Sequence, residues 1–65
     1  MANIADNLRK ARKKKGLSQD KLAREAGVAY NTVVKIESGE NKNPTIDTLR
    51  SIARALDISV DNLIN

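Results

Sequence analysis

Apolar residues recur along this chain at helical spacing: Ile4, Leu8 and Ala11, then Leu22, Ala23 and Ala26, then Val33 and Ile36, then Ile46, Leu49, Ile52, Ala53 and Leu56. No stretch alternates with period two, so the pattern predicts an all-α fold with no sheet. The punctuation divides it into five helices with approximate spans 3–15, 18–26, 29–38, 45–56 and 59–64. Gly16 closes the first, and Ser18 caps the second with Asp20 in its first turn, where a negative charge meets the positive end of the helix dipole. Gly27 closes the second helix, Ser38 to Pro44 reads as a loop, and Thr45 and Ser59 cap the last two helices. There is no repeat, low-complexity tract or linker, so residues 1–65 are expected to form one domain.

Within this frame the segment Gln19 to Glu37 has a more specific spacing. Two helices joined at a sharp angle need a small residue where their backbones approach, and Ala23 supplies it one turn into the first of the pair. Gly27 permits the positive φ of the turn, and Val28 beside it fixes the angle by dropping into the core. Val33 and Ile36 then bury the inner face of the next helix. Tyr30, Asn31, Val34 and Lys35, with Ala29 at the tip, are left outside, which is a helix-turn-helix pattern.

Charge adds a direction to this picture. Residues 1–16 hold Arg9, Lys10, Arg12, Lys13, Lys14 and Lys15 against Asp6 alone, a net charge of +5, whereas residues 57–65 hold Asp57 and Asp61 with no Lys or Arg. The basic end suits a polyanion; equally, Lys13 to Lys15 complement the negative end of the first helix dipole. The inventory narrows the chemistry further. A 65-residue chain without Cys or His has no thiolate, no imidazole base and no Cys/His zinc site, so no enzyme, metal or cofactor is expected. The acids Asp20, Glu25 and Glu40 that a carboxylate hydrolase would need read as helix-surface charges with no convergent pair. No apolar run reaches the ~18 residues of a membrane span and Met1 to Asp6 lack a secretory signal, which predicts a cytoplasmic protein.

Five stretches taken together resemble the Cro/Xre-type phage-repressor family: Leu17-Ser18-Gln19-Asp20-Lys21-Leu22-Ala23, Ala26-Gly27-Val28, Ile36-Glu37-Ser38-Gly39, Pro44-Thr45-Ile46-Asp47-Thr48-Leu49 and Ile52-Ala53-Arg54-Ala55-Leu56. The resemblance covers nearly the whole chain. It implies a five-helix, lambda-repressor-like domain of a prokaryotic or phage regulator. Such a regulator, a repressor in the usual case, reads double-stranded DNA in the major groove with its third helix, as a homodimer on a palindromic operator.

By position, Ala29, Tyr30, Asn31 and Lys35 match base-reading residues of that family. Asn31 suits adenine, Lys35 suits guanine O6 or N7, and Ala29 suits a thymine methyl. Tyr30 has two readings, packing on a thymine methyl or sugar and bracing the helix start. Ser18, Gln19, Thr32, Ser38, Lys42, Asn43 and Thr45 match positions that approach the sugar-phosphate backbone, with Gln19 also bracing the third helix. Arg12 and Glu37 match a pair that joins the first and third helices, and a carboxylate amid Leu8, Val33 and Ile36 would need such a partner. Val34 departs from the family, where the position is more often polar, and this alters the footprint.

The dimer is the part least specified. Val60, Leu63 and Ile64 offer an apolar edge, with Leu63 the better candidate for the core. Either a weak dimer assembles on DNA, or these residues are the DNA-binding piece of a longer repressor. A protein-interaction or antitoxin-type module on the same fold is the alternative function, with Val34, Val60 and Ile64 as its only visible apolar patch.

Overall fold

A computed structural model describes residues 3–65, and among them five helices and no strand occur. Helix α1 spans Ile4–Lys14, α2 Gln19–Ala26, α3 Tyr30–Glu37, α4 Ile46–Leu56 and α5 Val60–Ile64. Each lies within a residue or two of its expected span. The caps account for most of these limits. Ser18, Thr45 and Ser59 each sit in extended backbone, and their hydroxyl oxygens accept from the amides of Lys21, Thr48 and Asn62 at 3.0, 3.2 and 3.1 Å. Asn3 caps α1 in the same way, accepting from the Asp6 amide at 2.9 Å.

The turn from α2 to α3 has the expected chemistry. Gly27 adopts φ 70°, its amide donates to the Arg24 carbonyl at 3.2 Å, and the Val28 amide donates back to Ala23 at 3.0 Å. A Cβ at Gly27 would meet nothing within 4 Å, so an alanine there carries only the left-handed backbone penalty. Gly27→Ala is therefore expected to cost about 1–2 kcal/mol, lowering the melting temperature by roughly 4–8 °C per kcal/mol. An unchanged thermal transition would mean that the turn has another way to reverse the chain.

The same geometry closes α4 without a glycine. Asp57 takes φ 56°, and its amide and that of Ile58 return to Arg54 and Ala53 at 3.2 and 3.0 Å. Asp is one of the few side chains that tolerate this conformation. Its carboxylate also accepts from the Lys15 ammonium, tying the end of α1 to the end of α4.

Packing runs α1 on α3 and α5, α2 on α3 and α4, and α4 on α5. Leu8, Leu22, Val33, Ile36, Ile52 and Leu63 are wholly buried where these faces meet, with Ala23, Ala53, Leu56 and Leu49 closing the cluster. Ala23 is 2% exposed, consistent with a close approach that a larger side chain would push apart. Ala11, Ala26 and Val28 pack against the cluster from its edge. Ile46, placed in the apolar stripe of α4 by its spacing, is instead 54% exposed. It is the first residue of α4, one turn ahead of Leu49, where the helix runs beyond the core.

Candidate nucleic-acid interface

Burying Val33 and Ile36 orients α3, because residues on the opposite face must then point outward. Ala29, Tyr30, Asn31 and Lys35 are exposed, while Thr32 and Val34 are half-buried at the sides. Ala29 occupies the N-cap position and supplies no side-chain acceptor, in contrast to the hydroxyl and amide caps of the other four helices. Tyr30 keeps 49% of its surface in solvent.

Behind this face lies a polar network buried at the junction of α1, α2 and α3. The Arg12 guanidinium grips Glu37 with both arms, Nε to Oε2 at 2.6 Å and a terminal nitrogen to Oε1 at 3.1 Å. Its remaining terminal nitrogen donates to the Leu17 carbonyl at 2.8 Å, in the turn before α2. The two side chains are only 12% and 5% exposed. Gln19, the first residue of α2, adds a third donor to Glu37 through Nε2 at 3.1 Å. A carboxylate out of water is tolerable when its oxygens are filled in this way. No buried side-chain polar atom among the described residues lacks a partner. Arg9 adds a longer contact at 3.4 Å to the carbonyl of Glu37, so both arginines of α1 end on the last turn of α3.

Of the residues matched to backbone contacts, Thr32 lies half-buried on α3 and the other six fall into two groups. Ser18 and Gln19 sit at the start of α2; Ser18 spends its oxygen on the cap, and Gln19 donates to Glu37. Ser38, Lys42, Asn43 and Thr45 are exposed along the chain that joins α3 to α4. That segment holds itself in shape. The Ser38 hydroxyl donates to the Lys35 carbonyl at 3.0 Å and accepts from the Glu40 amide at 3.3 Å, and the Asn43 amide donates to the Asn41 side chain at 3.0 Å. An open groove of about 880 Å³ lies between this segment, the first turns of α1 and Ile64. Ser38, Lys42 and Asn43 line it, but no residue from Ala29 to Lys35 does.

On α3 itself, one contact was not legible in the sequence. Lys35, the only cation on α3, stands 3.9 Å from the Glu40 carboxylate, and both side chains are more than half exposed. Among the described residues, Lys13, Lys14 and Lys42 have no carboxylate within salt-bridge distance. No group of three or more His, Cys, Asp or Glu side chains there could hold a metal ion, and no helix is long and apolar enough to cross a membrane.

A short pair of helices crossing at a small residue, with a polar outer face locked from behind, defines a helix-turn-helix protein. The pattern of the helix-turn-helix family matches residues 8–63, and the chain belongs to that family. It is similar to the transcriptional regulator SinR of Bacillus licheniformis, with 39% identity over 62 residues covering 95% of this chain and 56% of that protein. Among solved structures, it resembles SinR, the master regulator for biofilm formation, in complex with DNA, at TM-score 0.90 and 38% identity over 92% of this chain and 95% of the other. The P22 c2 repressor in complex with a synthetic operator is also similar, at TM-score 0.91 and 26% identity over 100% and 97%. The chain spans about half the length of the curated relatives it matches.

Proposed function

We propose that this chain is the DNA-reading domain of a transcriptional repressor, acting in the cytoplasm with α3 lying in the major groove of a specific operator. The observation that carries this reading is the exposed row Ala29, Tyr30, Asn31 and Lys35 on a helix held rigidly from its other side by Arg12, Glu37 and Gln19. Preorganised donors and acceptors on a rigid element lose little freedom on binding, which is what base discrimination needs. Two similar domains solved in complex with DNA support a DNA-binding role for this one. In this reading Asn31 pairs with adenine, Lys35 with guanine, and Ala29 touches a thymine methyl, with Tyr30 packing beside it on a methyl or sugar. Ser18, Gln19, Thr32, Ser38, Lys42, Asn43 and Thr45 face sugar and phosphate, fixing register without carrying sequence information. No step in this function breaks or forms a covalent bond.

One α3 reads only a few base pairs, so two copies on half-sites one turn of duplex apart, ~34 Å, supply the rest of the specificity. In vitro selection from a randomised duplex library, followed by salt titration on the selected site, tests the reading. Enrichment of an inverted repeat with that spacing supports it. A folded chain that enriches nothing overturns it for this domain and favours a protein partner instead.

Backbone contacts have their own signature. Lys42→Ala is expected to weaken binding to selected and unrelated duplexes by the same factor, and to reduce the slope of log K against log salt by about 0.9. If the loss falls on the selected site alone, Lys42 reads a base and its assignment to phosphate is wrong.

A further inference from the structure

The ion pair between Lys35 and Glu40 is not a product of helix geometry. In a continuous helix, residues five apart lie about 140° around the axis from each other and do not meet. Here the chain leaves α3 at Ser38 and turns through Gly39, whose φ is 84°. The turn is fixed by the Gly39 amide on the Ile36 carbonyl at 3.1 Å and the Asn41 amide on the Lys35 carbonyl at 3.0 Å. The Ser38 hydroxyl accepting from the Glu40 amide holds the carboxylate's own residue in place. A turn that could lead anywhere on the surface thus brings an acid beside the one cation of α3. That acid also stands between Ser38 and the Lys42 to Thr45 stretch, among the residues proposed to face phosphate.

A carboxylate there opposes binding to any polyanion, so its effect on affinity for unrelated DNA is unfavourable. It also occupies Lys35 when no better acceptor is present. We infer that Glu40 is a specificity-determining residue: by holding Lys35 and repelling phosphate, it restrains binding to unrelated sequence, and the restraint is released where a guanine O6 and N7 accept the Lys35 ammonium. Discrimination arises because the ion pair must be given up on every duplex, and a lone phosphate offsets that loss less well than the two acceptors of guanine do on the correct one. This rests on the DNA-reading function proposed above. Lys35 freed of Glu40 has no reason to wait for guanine, since any phosphate will take it.

The test compares the wild-type chain, Glu40→Gln, Lys35→Met and the double variant on the selected duplex, on the same duplex with the Lys35-read base pair replaced, and on an unrelated duplex, each across a salt series. Both side chains are exposed, so the variants are expected to fold, and circular dichroism checks this. E40Q should bind unrelated DNA about 3- to 10-fold more tightly, with a salt slope steeper by roughly one phosphate contact. Its gain on the selected duplex should be smaller, so the ratio of selected to unrelated affinity falls. In the K35M background the gain should be clearly smaller, because only the direct repulsion of phosphate by Glu40 is then left to remove.

A gain of equal size with and without Lys35 overturns the coupling and leaves Glu40 as a plain repulsive charge. A selected-site affinity that falls in E40Q overturns it differently, by making Glu40 a base contact in its own right. Unchanged affinities in E40Q, with a wild-type chain that still discriminates, remove Glu40's role while the DNA reading stands. A wild-type chain that binds no duplex removes both.

Discussion

Arg12→Ala is expected to remove a large share of this domain's stability. The substitution removes three donors at once and leaves the Glu37 carboxylate with the Gln19 amide alone, in a site where its side chain is 5% exposed. Breaking a buried pair from one side costs about 3–5 kcal/mol, because the surviving charge has lost water and gained no replacement. For a 65-residue chain the whole stability is of order 3–10 kcal/mol at roughly 0.05–0.15 kcal/mol per residue. The deficit therefore consumes a large share of it, and thermal melting followed by circular dichroism is the direct measurement. Replacing both partners by apolar residues of similar size, Arg12→Met with Glu37→Leu, should recover most of the loss, since no charge is then stranded. A single variant that melts with the wild type would show that water reaches Glu37 and that the pair is no keystone.

The second large effect falls on recognition and leaves the fold alone. Asn31 is exposed on α3, with no hydrogen bond to the rest of the described chain through its side chain, so Asn31→Ala should melt within a degree or two of the wild type. On the selected duplex it should bind about 5- to 150-fold more weakly, the equivalent of the 1–3 kcal/mol that a bidentate pair to adenine contributes to discrimination. On a duplex in which that adenine is already replaced, the variant and the wild type should bind alike. Competition binding on the two duplexes measures both numbers. Equal losses on the two would place Asn31 on the backbone and shift base reading to its neighbours.

The helices were legible because their caps and stripes are local. Ser18, Thr45 and Ser59 announce starts, Gly27 announces a stop, and the 3.6-residue period selects Leu8, Leu22, Val33, Ile36 and Ile52 for the core. What escaped depends on where neighbouring elements end. Ile46 shares the period of Leu49 and Ile52 but overhangs the core, and periodicity has no knowledge of how far a partner helix extends. Asp57 closes α4 in a conformation that its sequence context does not demand.

The site divides the same way. The Arg12 to Glu37 pair follows from the cost of burying an acid, together with the family resemblance, and the outward row on α3 follows from the burial of Val33 and Ile36. Gln19 matches, by position, both a phosphate contact and a brace of the third helix, and the partner of that brace, Glu37, could be known only from the fold. The Lys35 to Glu40 pair was invisible because it is made by a turn, at a separation that no helical rule anticipates.

The bond from the Asn7 side-chain Nδ2 to the Leu63 carbonyl at 3.0 Å, beside a wholly buried Leu63, joins the first helix to the last. A five-residue helix has no stability of its own in water. Yet peeling it away would take Leu63 out of the shared core and strip a partner from α1, on whose arginines the last turn of α3 depends. Helix α5 thus acts as a clasp that closes α1 and α4 over the described core. Opening there is expected to loosen the orientation of α3 as well, since small domains of this size open as one unit.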